Sequence, residues 1–244
     1  MAKKNQKNND RRAMVEEMRR QQQRKERQRS VLILGFCVIL VLGLLSAALV
    51  PYIKNQRAEA ALNKLDLENI GVSESAASCD PIKTTVTDHN QNHISAPTPI
   101  VYKDAPPSFG PHRPAPAAFA RKFYTADDRP EVAELVHNLE HGYTILWYDD
   151  TAAKDKAEMK NIQAIATKYK DVRFIAAPWT ATDGAAFPSG KHISLTRWSA
   201  DASNTSDESK QRGNWEYCGT TSGAVVSSFV KKWPNSESPE VGLF

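Results

Sequence analysis

The sequence predicts an α/β domain, with α+β as the alternative, carried behind a single membrane-spanning helix. Three observations carry that prediction. Residues 31–50 are twenty positions without a charge. Two short apolar runs, 143–148 and 172–177, flank a stretch with apolar residues at helical spacing. Strand, helix, strand at these lengths is a βαβ unit with parallel strands, set in a mixed sheet. Eight prolines lie between Cys79 and Tyr124. Proline fixes φ and removes a backbone donor, so that portion reads as extended loops and short edge strands wrapped on the sheet.

The first thirty residues hold eleven Lys/Arg against four Asp/Glu, whereas the rest of the chain is net acidic. The overall charge of +4 is therefore a property of the tail, and nucleic-acid binding by the whole protein is a poor inference from it. Twenty apolar residues at about 1.5 Å each match a hydrocarbon core of about 30 Å. Basic flanks stay cytoplasmic, so residues 1–30 are expected inside and the chain beyond residue 51 outside, periplasmic or extracellular. A cleaved signal peptide, with Ser46-Ala47-Ala48 as its small-residue site, is the rival; the charged leader and the apolar run are both long for one. The tail has little to bury and is expected to be disordered or a surface helix near anionic head groups. Residues 51–74 mix Ala and Leu with charges, which suits a short helical stalk ended by Gly71. The extracytoplasmic domain is then 75–244.

Cys37 lies in the apolar run and reads as a small apolar residue. Cys79 and Cys218 stand near the two ends of the outer domain. In an oxidising compartment they pair, closing a loop of about 140 residues worth somewhat over ~4 kcal/mol in the loop-entropy model. Two free thiols, or thiolate ligands, are the alternative.

Residues 130–140 read as a short helix, with Pro130 in its first turn, acids at 131 and 134, and Gly142 just past its end. Asp149, Asp150 and Thr151 offer an N-cap for a helix over 152–170, with Met159, Ile162, Ala166 and Tyr169 on one face. Residues 192–198 make a further strand and 223–233 a closing helix.

Five of the six histidines fall between positions 89 and 141. His137 and His141 are four apart with Glu140 beside the second, so on a helix both imidazoles share a face and can point at one ion. His112 ends the stiff segment Pro106-Pro107-Ser108-Phe109-Gly110-Pro111-His112, as a loop presenting one ligand should. The expected donor set is His112, His137 and His141, with His93 or Glu140 completing the shell around zinc or copper. A hydrogen-bonded polar cluster is the plain alternative for the same residues. His89 and His192 read as surface. His137-x-x-Glu140-His141 also matches the pattern of the inverted zinc peptidases, but those continue the helix, and Gly142 with the strand behind it leaves no room. No phosphate loop, Gly-x-Ser-x-Gly elbow, Cys-x-x-Cys or dinucleotide fingerprint is present.

The run Cys79, His93, Tyr102, Pro106-Pro107-x-x-Gly110-Pro111-His112-x-Pro114, Val136-His137-x-Leu139-Glu140-His141-Gly142 and Trp147-Tyr148 resembles a bacterial family common in actinobacteria, domain of unknown function family 3105. The tail from Phe229-Val230 to Pro239-Glu240 is similar to that family's ending. The chain departs at Ser108-Phe109, where the family usually has Thr-Ser, and has Phe119 to Tyr124 in place of Gly-x-Tyr. The resemblance implies an envelope setting outside the cytoplasmic membrane and no assigned activity. The leading expectation is a membrane-tethered domain holding one transition metal, for handling or for structure. A non-catalytic accessory subunit of a respiratory or envelope complex is the second class, and a zinc-dependent hydrolase the third.

Overall fold

The computed structural model describes residues 2–170 and 172–242. The chain divides into two compact units, one up to Ala58 and one from Glu59 onward. The first is built on helix α1 (Ala2–Leu62), 61 residues long. Gln, Lys, Arg, Glu and Met are good helix formers, so the basic tail extends the apolar helix instead of breaking it. From Met14 onward α1 contains a window long and apolar enough to cross a membrane. It ends at Leu62, short of Gly71. The next residues already belong to the folded domain, where Ile70 is fully buried.

The second unit is a five-stranded mixed sheet in the order β1-β5-β4-β2-β3. Its strands are β1 (Lys83–Val86), β2 (Thr144–Tyr148), β3 (Phe174–Pro178), β4 (Ile193–Ser199) and β5 (Arg212–Cys218). β2 and β3 run parallel; the other pairs are antiparallel. The expected βαβ unit is present, but its helix comes in two pieces, α3 (Asp150–Lys154) and α4 (Lys156–Lys168). Aspartate competes with helix for its own backbone and prefers the cap position. Asp149 accepts from Thr151 and Ala152 N–H, and Asp155 repeats the arrangement on Ala157 and Glu158. The second cap breaks what the apolar spacing alone reads as one helix.

Every residue of β2, β3 and β4 is buried, because both faces of the sheet are covered. Alternation assigns the faces. Leu146, Tyr148, Phe174 and Leu195 pack with Ile162, Ile165 and Ala166 of α4 and with Val225, Val226 and Phe229 of α5 (Gly223–Lys232). Ile145, Trp147, Ile175 and Trp198 pack with Leu135, Val136 and Leu139 of α2 (Val132–Glu140) and with Ala117 and Tyr124 of the proline-rich segment. That segment also shields the outer edge of β3, where Ala176 bonds Lys122 O at 2.8 Å and Tyr124 N–H bonds Ala176 O at 2.9 Å. A covered edge offers no template for another chain.

β5 is not evident in the sequence. Its inward residues on the α2 face are Gly213, Trp215 and Tyr217, and the glycine reads as a turn signal. A Cβ at Gly213 would lie 2.3 Å from the Phe109 ring and from Ser108 Oγ, so the strand needs glycine for the proline-rich loop to lie on it. Phe109 then sits edge-on to Trp198 and Trp215, at 6.2 and 5.9 Å between ring centroids. Cys79 and Cys218 are disulfide-bonded across 139 positions, joining the lead-in to β1 to the end of β5.

At the other side, α2 stops at Glu140 and the chain turns into β2 through Gly142, whose φ is +82°. A Cβ there would stand 3.0 Å from Ser238 Oγ and 3.1 Å from Arg197 Nη1. Gly142→Ala should therefore cost more than the ~1–2 kcal/mol of a left-handed alanine alone. Gly190→Ala, with a similar φ of +74° and open space around it, isolates the conformational part. Equal losses in denaturant midpoint for the two variants would show that the crowding is relieved. Replacing both Cys79 and Cys218 with serine should lower unfolding free energy by about 4 kcal/mol. The same denaturant titration reads it, and an unchanged midpoint would leave the bond without a stabilising role.

Candidate metal centre

α2 packs Leu135, Val136 and Leu139 against the sheet, and its C-terminal turn carries His137, Glu140 and His141. Burial is deep: Glu140 is 1 % exposed, His141 2 % and His137 5 %. His112 arrives from the proline-rich segment. Phe109 docked over Gly213 anchors one side of that segment. On the other, Tyr102 Oη donates to Pro111 O at 2.7 Å, and the Arg113 guanidinium donates to Ile94 O and Thr98 O. A short parallel bridge pairs His112 with His93, with Ile94 N–H to His112 O at 2.7 Å and His112 N–H to Asn92 O at 3.0 Å.

Four sequence-predicted residues are thereby brought together. His93, His112, His137 and Glu140 each present a donor atom, all within 4.8 Å of one another. The His93, His112 and His137 rings lie 4.6 to 5.1 Å apart. His112 is fully buried while His93 is exposed, so the group opens to solvent on one side.

The rings are oriented from behind. His112 Nδ1 is 2.9 Å from Gly110 O, and His137 Nδ1 is 2.6 Å from Arg113 O. A carbonyl only accepts, so each Nδ1 carries the proton and, in the neutral ring, Nε2 carries the lone pair. This is the backbone support that orients metal-ligating imidazoles. His112 Nε2 then faces Glu140 Oε2 at 3.0 Å. Among the described residues neither atom has a hydrogen-bond partner. A lone pair and a carboxylate oxygen in such contact repel unless a proton or a cation is shared between them.

His141 stands beside this group. Its Nε2 is 2.8 Å from His137 Nε2, and its Nδ1 is 3.6 Å from Glu240 Oε2. It falls instead in a second cluster with Glu140 and Glu240. Glu240 is not singled out by the sequence. Its N–H donates to Glu140 O at 3.2 Å, a hundred residues back along the chain, and no local pattern marks it. The similarity of the tail, ending at Pro239-Glu240, is the one signal that could have found it. His89 is exposed, and His192 Nδ1 bonds Asp149 Oδ2 at 2.9 Å, away from the group.

Burial disfavours the charged imidazolium, so His137 titrates below the ordinary imidazole range, opposed by its bond to Arg113 O. His141 is pushed down to about 4, first by burial and then by the adjacent His137. The Glu240 carboxyl is raised by burial and by the charge of Glu140. Among the described residues, the group within ion-pair distance of Glu140 is His112 alone, and for Glu240 it is His141. His137 and His141 are thus favoured neutral, and among the described residues no Lys or Arg pairs with the Glu140 or Glu240 carboxylate. Because α2 ends at Glu140, the continuous helix of the inverted zinc peptidases is not formed.

Comparison with curated proteins and with solved structures finds no match. The family model described as protein of unknown function, DUF3105, matches residues 93–242, from the exposed histidine of the cluster to just past Glu240, and the chain belongs to that family.

Proposed function

We propose that this is a single-pass membrane protein, basic tail in the cytoplasm, whose outer domain binds a transition metal ion, zinc or copper, through His112, His137 and Glu140 with His93 as the exposed fourth donor. One observation carries the reading: His112 Nε2 and Glu140 Oε2 face each other at 3.0 Å, buried and, among the described residues, without hydrogen-bond partners. A cation between them removes the repulsion and neutralises a carboxylate that otherwise sits uncompensated in the interior. Three imidazoles and one carboxylate suit zinc or copper. The exposed His93 leaves the ion reachable from solvent, which favours handling of an exchangeable ion over a sealed structural one. The orientation rests on the basic residues flanking the apolar window, and the outside location on the disulfide.

Elemental analysis of the full-length protein in detergent, made without a histidine tag, tests this. Wild type should hold tightly bound zinc or copper, and His112→Ala and His137→Ala should each lose one equivalent. Wild type free of metal, or variants that keep the full complement, would overturn the reading.

The metal-free protein should also be acid-sensitive. Both His137 and His141 have folded pKa values below the unfolded value of about 6.5, His141 at about 4. Between those limits the unfolded chain takes up protons that the folded chain does not. The stability these groups contribute is present above about pH 6.5 and lost as pH falls toward about 4. Denaturant midpoints of chelator-treated protein should drop across that window. A flat profile would mean that the rings are not held neutral.

A further inference from the structure

The donors around Glu140 form two clusters. His93, His112 and His137 lie with Glu140 within 4.8 Å, and Glu140, His141 and Glu240 satisfy the same limit separately. One ion at about 2.0–2.2 Å from each donor cannot gather all six. Glu140 belongs to both clusters, and a carboxylate has two oxygens, each with its own lone pairs.

Resting on the metal-binding reading above, we propose that Glu140 bridges two cation sites, and that Glu140, His141 and Glu240 hold a second divalent first-row metal ion. The two sites differ in character. Three imidazoles favour zinc or copper; one imidazole with two carboxylates is harder and takes zinc, iron(II) or manganese(II). Paired ions about 3.5–4 Å apart are a recurrent arrangement in metal sites.

The chain is arranged to deliver the second set. Residues 234–240 form a strap held to the domain by Ala200 N–H to Glu237 O at 2.9 Å and by Glu240 N–H to Glu140 O at 3.2 Å. Ser238 within it is fully buried, its hydroxyl donating to Asn235 O at 2.7 Å. Glu240 thus sits at a fixed place over the end of α2, with 39 % of its side chain exposed as an entry side for an ion. His137 and His141, one helical turn apart, stand side by side with ring centroids 4.7 Å apart, one in each cluster. Glu140 and Glu240 bring two carboxylates into the second cluster, and among the described residues neither has a Lys or Arg within ion-pair distance. A divalent cation balances that charge.

The test uses full-length protein in detergent, stripped with chelator and reloaded with zinc, then dialysed and analysed for zinc per chain. Wild type should retain two equivalents, Glu240→Gln one, His112→Ala one and Glu140→Gln none. Glu240→Gln is conservative and partly exposed, so a matched denaturant midpoint confirms its fold. One equivalent in wild type, unchanged in Glu240→Gln, overturns the second site and leaves the first standing. Two equivalents in both proteins overturn the assignment to Glu240. No zinc in wild type overturns both sites together.

Discussion

A carboxylate at 1 % exposure, facing an imidazole nitrogen that offers it no hydrogen bond, is the constraint on which this domain turns. Burying an uncompensated charge costs several kcal/mol even after relaxation. Glu140 is nonetheless delivered to that position by a helix whose apolar residues are locked into the sheet. Among the described residues, no Lys or Arg stands within ion-pair distance of it. Such an arrangement persists in a fold only where the surrounding packing over-determines it or where a ligand completes it.

The packing that holds it comes from far along the chain. Gly213 lets Phe109 pack closely on β5, and that contact sets the loop that ends at His112. Arg113 then ties the same loop to Ile94 and Thr98, which carries His93 alongside. Gly142 lets the chain leave α2 tightly enough for Arg197 and Ser238 to pack beneath it. Donors between residues 93 and 240 are gathered by backbone contacts and a few side chains.

Much of this was legible in the sequence, for physical reasons that differ by element. The apolar runs at 143–148 and 172–177 have no competing reading, and Asp149 caps the helix between them as its position suggests. Asp155 was hidden because the apolar residues at helical spacing, Met159, Ile162 and Ala166, all lie beyond it and leave the break unmarked. β5 was hidden because its strand character depends on Phe109, about a hundred residues earlier in the chain. Of the ligand candidates, His112, His137 and Glu140 were legible from type, spacing and stiff flanking prolines. The i, i+4 spacing put His137 and His141 on one face, and they are neighbours. Spacing alone does not say that the second ring leans toward Glu240, because that depends on where the chain's end returns.

The disulfide has a topological consequence. Cys79 and Cys218 close a covalent ring that contains His93, His112, His137, Glu140 and His141, while Glu240 lies beyond it. The strap from Pro234 onward is outside the ring and is held by noncovalent contacts alone, among them Ala200 N–H to Glu237 O, Glu240 N–H to Glu140 O and the Arg197 guanidinium to Pro234 O. Five of the six candidate donors thus share one covalent loop, and the sixth, Glu240, is joined to them by the fold alone.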